Sequence, residues 1–148
     1  MPALPSEHAL SVRSNLLRGG GTFDGAKNAP GHWDFFLSHT QQDERGKLIA
    51  AELCQGLTGV SKSCWLDVKM RSQDMGAMEE GVYGSSCVIA ILTKQYFSRS
   101  MCRDELAWAM AAGATIVPVV NRDEKGRIGD YLAESKTHPG LDLSAYNV

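Results

Sequence analysis

The stretch Cys87–Thr93 reads CVIAILT, with an apolar side chain at every position except the last. A strand with only one buried face alternates apolar and polar residues, whereas this run is apolar almost throughout. Continuous apolar strands are typical of parallel sheets, in which helices cover both faces. The stretch therefore predicts a central strand of a parallel α/β sheet.

Similar strand patterns lie on both sides of this stretch. Trp33–Ser38 (WDFFLS) and Cys64–Val68 (CWLDV) precede it, and Thr115–Val120 (TIVPVV) follows it. Because proline cannot donate a hydrogen bond to a neighbouring strand, Pro118 predicts that the last strand lies at a sheet edge or is bulged.

Helical patterns separate these strands. In Glu44–Leu57 the apolar residues repeat at helical spacing, Ala77–Tyr83 predicts a short helix, and Phe97–Gly113 predicts a helix that Gly113 ends. A charged turn, a weak helix and a short segment, Gly140–Ala145, follow the last strand. The alternation predicts right-handed crossovers and a flavodoxin-like open parallel sheet with helices on both faces.

The chain of 148 residues suits one domain, and its net charge of −2 gives no reason to expect nucleic acid or an anionic membrane as partner. Residues 1–31 are poor in large apolar groups and contain three consecutive glycines, so we expect a flexible leader there and one folded domain over 32–148. We find neither a secretory signal nor an apolar run near the roughly 20 residues of a membrane span.

The four cysteines form no Cys-x-x-Cys pair, and the four histidines are scattered. We therefore expect reduced, mostly buried thiols in a cytoplasmic protein and no metal site.

Three motifs together resemble the TIR (Toll/interleukin-1 receptor) domain family. They are WDFFLSHTQQD (Trp33–Asp43), CWLDV (Cys64–Val68) and the long run EEGVYGSSCVIAILTKQYFSRSMCRDEL (Glu79–Leu106). The resemblance covers roughly residues 33–145 and implies the TIR variant of the flavodoxin-like fold. The loop after Asp67 is longer than is usual in the family and lacks the Pro-Gly of many receptor and adaptor members. The family's last helix has no counterpart before Val148, so we expect it to be absent or supplied by a longer parent protein.

The resemblance also implies a chemistry. NAD-cleaving TIR domains use the glutamate of the Cys-x-x-Glu-Leu motif to break the nicotinamide–ribose bond, and that glutamate is Glu105 here. NAD+ is then the substrate, and no cofactor is expected. The residues that the motifs place around the substrate are Phe36, His39, Gln41, Asp67, Ser72, Met101 and Cys102.

The residues themselves give Glu105 an unusual position. It lies three or four positions from Cys102, Trp108 and Ala109, and thus on the apolar side of its helix. An unpaired carboxylate there is unfavourable, which suggests a cleft. The alternative is a partly exposed glutamate paired with Arg103 or Lys94.

Two functions remain open at this point. One is an NAD+ glycohydrolase, with or without cyclisation of the product, that self-association activates in immune or cell-death signalling. The other is a non-enzymatic module that recruits further TIR domains through the loop Lys69–Gly76. Both share the fold, so the fold does not choose between them. A phosphoacceptor role for Asp67 is disfavoured because Ser38 and His39 occupy the place of the acidic pair that it needs.

Overall fold

A sheet of four parallel strands forms the centre of the computed structural model, which describes residues 32–66, 75–146 and 148. The order in the sheet is β2-β1-β3-β4. This confirms the predicted open parallel sheet. The strands are β1 (Trp33–Ser38), β2 (Cys64–Leu66), β3 (Ser85–Ile91) and β4 (Thr115–Val119).

Helices cover both faces of the sheet, as predicted. Helix α1 packs on one face against Leu37, Leu66 and Ile89, while α2, α3 and α4 pack on the opposite face. No helix in the described part of the chain is long and apolar enough to cross a membrane. The helices are α1 (Glu44–Gly59), α2 (Met75–Tyr83), α3 (Ser100–Ala112) and α4 (Ile128–Lys136), with a 3₁₀ helix (Arg122–Arg127) before α4.

Helix α3 begins at Ser100, three residues later than the sequence pattern predicts. The residues before it form a turn instead, in which the Tyr96 N–H donates to the Thr93 carbonyl at 3.0 Å. The predicted end of α3 is confirmed, because Gly113 adopts a left-handed conformation with φ of 68°.

Strand β4 lies at an edge of the described sheet, as Pro118 predicts. The Leu92 N–H donates to the Val119 carbonyl at 2.9 Å, so the backbone groups of Val119 face β3. Backbone groups alternate in direction along a strand, and those of Pro118 therefore face away from β3. The missing N–H of Pro118 thus removes no bond from the sheet.

The C-terminal segment after α4 closes one end of the core. Leu141 and Leu143 are buried, and the Leu143 N–H donates to the Ser135 hydroxyl of α4 at 3.0 Å. This segment corresponds to the predicted Gly140–Ala145. The predicted leader, residues 1–31, lies outside the described residues.

Glycine at position 81 allows α2 to approach the sheet closely. The ring of Trp65 stacks on the ring of Phe36 with centroids 4.8 Å apart, and both side chains are buried. A Cβ atom at Gly81 would lie 2.7 Å from the Trp65 ring. Because the stacked rings cannot move aside without disturbing the core, position 81 has no room for a side chain.

We expect Gly81→Ala to lower the free energy of unfolding by about 1–3 kcal/mol, the usual effect of overpacking a core. Gly56→Ala in α1 is the matched control, because a Cβ there meets nothing within 4 Å. The control should raise stability by roughly 0.5–1 kcal/mol, since alanine favours a helix over glycine. Urea denaturation of both variants measures the two changes. Equal effects of the two substitutions would contradict the close approach of α2.

Candidate functional site

The candidate site lies where the chain leaves the sheet in two directions. After β1 the chain passes to α1 on one face, and after β3 it passes to α3 on the opposite face. Since β1 and β3 are neighbours, their following loops separate and leave a crevice at the carboxyl ends of the strands. Open parallel sheets bind their ligands at this kind of crevice.

A cavity of about 170 Å³ occupies this crevice. Its walls come from the loop after β1, the first turn of α3 and one side chain of α2. The lining residues are His39, Thr40, Gln41, Gln42, Met78, Arg99, Ser100, Met101 and Cys102.

Glu105 lies one helical turn beyond Met101 and Cys102, and its side chain is only 2% exposed. It is not among the residues that line the cavity, whereas its neighbours on α3, Met101 and Cys102, are. The burial contradicts the alternative of a partly exposed glutamate. It agrees with the prediction from helical spacing that Glu105 shares the apolar side of α3.

A chain of hydrogen bonds holds the Glu105 carboxylate. The Ser38 hydroxyl donates to Glu105 Oε1 at 2.8 Å, and the hydroxyls of Ser38 and Tyr96 are 2.6 Å apart. Ser38 and Tyr96 are fully buried. We call these three side chains the buried relay. It joins the end of β1, the turn after β3 and α3.

The direction of the buried relay follows from its donors. A serine hydroxyl has one proton, and Ser38 uses it to donate a hydrogen bond to Glu105. Tyr96 must then donate to Ser38. Burial, together with the nearby Cys102 and Glu105, raises the pKa of Tyr96 well above its usual value, so that its hydroxyl stays a donor at ordinary pH.

His39 lines the cavity, whereas Ser38 does not. Its Nδ1 is 3.3 Å from the Leu37 carbonyl, and its Nε2 is buried with no hydrogen-bond partner among the described residues. Burial lowers the pKa of His39 below 6.5, and the charge of Lys47 lowers it further, while the bond to Leu37 opposes the shift. His39 is therefore neutral at pH 7, and its Nδ1 proton points to Leu37.

The structure brings together four of the predicted substrate-binding residues, His39, Gln41, Met101 and Cys102, around the cavity. Phe36 does not reach it, because its ring is fully buried against Trp65. The positions of Asp67 and Ser72 lie outside the described residues.

Sequence reasoning missed several members of the site. Ser38 is recognisable only as a strand end, and Tyr96 only as a motif residue, because the contacts of Ser38 with Glu105 and with Tyr96 depend on the fold. The further lining residues, Thr40, Gln42, Met78, Arg99 and Ser100, lie mostly next to predicted ones in the sequence.

Comparison with known proteins identifies a family and two structural neighbours. A family model described as TIR domain matches residues 35–146. The TIR domain of the Toll-related receptor TRR-2 from Hydra magnipapillata is similar, with a TM-score of 0.50 and 13% identity over 61% of this chain and 71% of that chain. The TIR domains of the activated Roq1 resistosome, which directly recognises the pathogen effector XopQ, give a TM-score of 0.52 and 18% identity over 76% of this chain and 74% of that chain. No curated protein matches the chain.

The lowered pKa of His39 predicts a pH dependence of stability. Below about pH 6.5 the unfolded chain binds a proton at His39 that the folded chain resists, so the free energy of unfolding falls as the pH falls through this range. The loss is complete once the folded protein is protonated as well. In His39→Gln this part of the dependence should disappear. Urea denaturation between about pH 7.5 and about pH 5.5 measures it, and equal slopes for both proteins would contradict the buried neutral imidazole.

Proposed function

The chain belongs to the TIR domain family, and on this premise we propose that it cleaves the nicotinamide–ribose bond of NAD+ with Glu105 as the catalytic residue. The observation that carries the proposal is a carboxylate, 2% exposed, one helical turn from Met101 and Cys102, which line the cavity at the crevice between β1 and β3. A buried carboxylate is unfavourable for stability, and such groups concentrate at functional sites.

The reaction suits a single carboxylate. The bond between the anomeric carbon and the pyridinium nitrogen breaks with both electrons passing to the nitrogen, so nicotinamide leaves neutral and needs no general acid. Positive charge develops on the ribose, and the negative charge of Glu105 stabilises it. Water then adds to the anomeric carbon and releases a proton, which gives ADP-ribose. Attack by the adenine instead of water gives a cyclic product.

The cavity matches one part of the substrate. An apolar cavity of about 150 Å³ holds a benzene molecule, and the cavity here is about 170 Å³. It therefore has room for the nicotinamide ring, with Met78 and Met101 as apolar contacts. Arg99 supplies a positive charge at the wall, which favours the pyrophosphate. Pockets that hold a whole drug-sized ligand measure about 300–1,000 Å³, so the cavity holds only a part of NAD+.

The cavity of the single chain is therefore too small for the whole substrate, and we connect activation to self-association. Glu105 is 2% exposed and does not itself line the cavity. Access of the substrate to Glu105 therefore requires a rearrangement, which we assign to the first turn of α3 and the loop after β1. Assembly with further TIR domains provides this rearrangement and completes the pocket. The Roq1 neighbour, whose TIR domains occur in an activated resistosome, is consistent with activation by self-association. The protein acts in the cytoplasm in immune or cell-death signalling.

We expect Glu105→Gln to abolish nicotinamide release, with a loss of about 10³-fold or more, because the amide carries no charge to stabilise the ribosyl cation. The amide keeps the volume of the side chain and still accepts from Ser38, so the fold should persist. Glu52→Gln on the exposed face of α1 is the matched control and should retain full activity. The measurement follows nicotinamide by chromatography, with the full chain concentrated or clustered on a scaffold.

Two outcomes would contradict the proposal. Activity of Glu105→Gln within a few-fold of the wild type would remove the catalytic role of this residue. A wild type that releases no nicotinamide even when clustered, yet still binds other TIR domains, would make the chain a non-enzymatic interaction module.

A further inference from the structure

We propose that Ser38 and Tyr96 are positioning residues, which hold the Glu105 carboxylate at one place and in its charged form through the buried relay. The proposal rests on the proposed function for the part that concerns catalysis. Neither residue lines the cavity, so each acts on the substrate only through Glu105.

The geometry of the buried relay gives Ser38 the central place. Ser38 is the last residue of β1, and its Cα pairs with Ala90 in the middle of the sheet. Its backbone is thus fixed by pairing with the neighbouring strand β3. The hydroxyl contacts Glu105, 67 residues away in the sequence, and Tyr96, 58 residues away.

Tyr96 supplies the hydrogen-bond donor that the Ser38 oxygen needs. Because Ser38 donates its one hydroxyl proton in the hydrogen bond to Glu105, its oxygen can only accept further hydrogen bonds. Tyr96 is the donor to that oxygen. Tyr96 is itself fixed by the turn after β3 and by an edge-to-face contact with Phe97 at 5.1 Å. A rigid donor behind Ser38 polarises the Ser38 hydroxyl and strengthens its bond to the carboxylate.

The charge state of Glu105 sets the direction of the buried relay. An ionised carboxylate only accepts, so donation runs from Tyr96 through Ser38 to Glu105. The Ser38 hydroxyl donates to Glu105 Oε1 at 2.8 Å, and a hydrogen bond donated to a carboxylate favours its ionised form. The arrangement therefore favours the ionised form, which the stabilisation of a ribosyl cation needs.

The kinetic test uses Ser38→Ala, Tyr96→Phe and the double variant in the full chain, clustered as for the wild type. We expect Ser38→Ala to lower kcat roughly 10- to 100-fold, because a displacement of the catalytic carboxylate by about 1 Å lowers the rate on this scale. KM should stay nearly constant, because neither side chain contacts the substrate. Tyr96→Phe should lower kcat less, and the double variant should equal Ser38→Ala, because Tyr96 acts only through Ser38.

Tyr131→Phe is the matched control. It also removes a tyrosine hydroxyl that donates to a carboxylate, that of Glu124 at 3.0 Å, but on α4 away from the cavity. Its kcat should equal that of the wild type. Multiplicative losses in the double variant, or a change in KM alone, would overturn the positioning role.

A spectroscopic measurement separates this proposal from the hydrolase proposal. The infrared band of the Glu105 carboxylate is identified by its loss in Glu105→Gln. We expect that band to shift in Ser38→Ala, to shift less in Tyr96→Phe and to stay in place in Tyr131→Phe. If the wild type releases no nicotinamide, the catalytic half of the proposal fails with the hydrolase, and the band still decides whether the buried relay holds a charged carboxylate. An unchanged band in Ser38→Ala, or no carboxylate band for Glu105, overturns it.

Discussion

A carboxylate that is withdrawn from water needs hydrogen-bond donors, and this requirement organises the centre of the site. Glu105 on α3 receives the Ser38 hydroxyl from the end of β1, and Tyr96 from the turn after β3 approaches Ser38 in turn. The end of β1 is thereby fixed to the turn after β3 and to α3, which follow it by 58 and 67 residues in the sequence. Any change that separates β1 from α3 would take the Ser38 donor away from a buried charge, which is unfavourable.

The sheet order explains why this arrangement lies beside a cavity. Helices α1 and α3 follow neighbouring strands but pack on opposite faces, so the loops that lead into them diverge. Side chains of the loop after β1 and of the first turn of α3 line the resulting space. Packing of α2 on the rings of Trp65 and Phe36 brings Met78 to the same cavity from a third direction.

Stability and reactivity place opposite demands on Glu105. For stability alone, an apolar residue in its place would avoid the unfavourable burial of a charge. The proposed reaction instead needs a charged group that little water screens, because electrostatic stabilisation is strongest where water is excluded. The burial of Glu105 meets that need, and on the proposed function the site must rearrange before a substrate contacts the carboxylate.

The sequence alone determined the parts of this protein that depend on neighbouring residues. The continuous apolar run around Val88 predicts a buried parallel strand, Pro118 an edge strand and Gly113 a helix end, because each reflects local backbone chemistry or local periodicity. Helical spacing also put Glu105 on the apolar side of α3. Only the tertiary structure decided that Ser38 contacts both this carboxylate and Tyr96, and that Phe36 packs on Trp65 away from the cavity. These contacts join residues that are 58 or 67 positions apart in the sequence. They depend on strand order and helix packing, which no local pattern encodes.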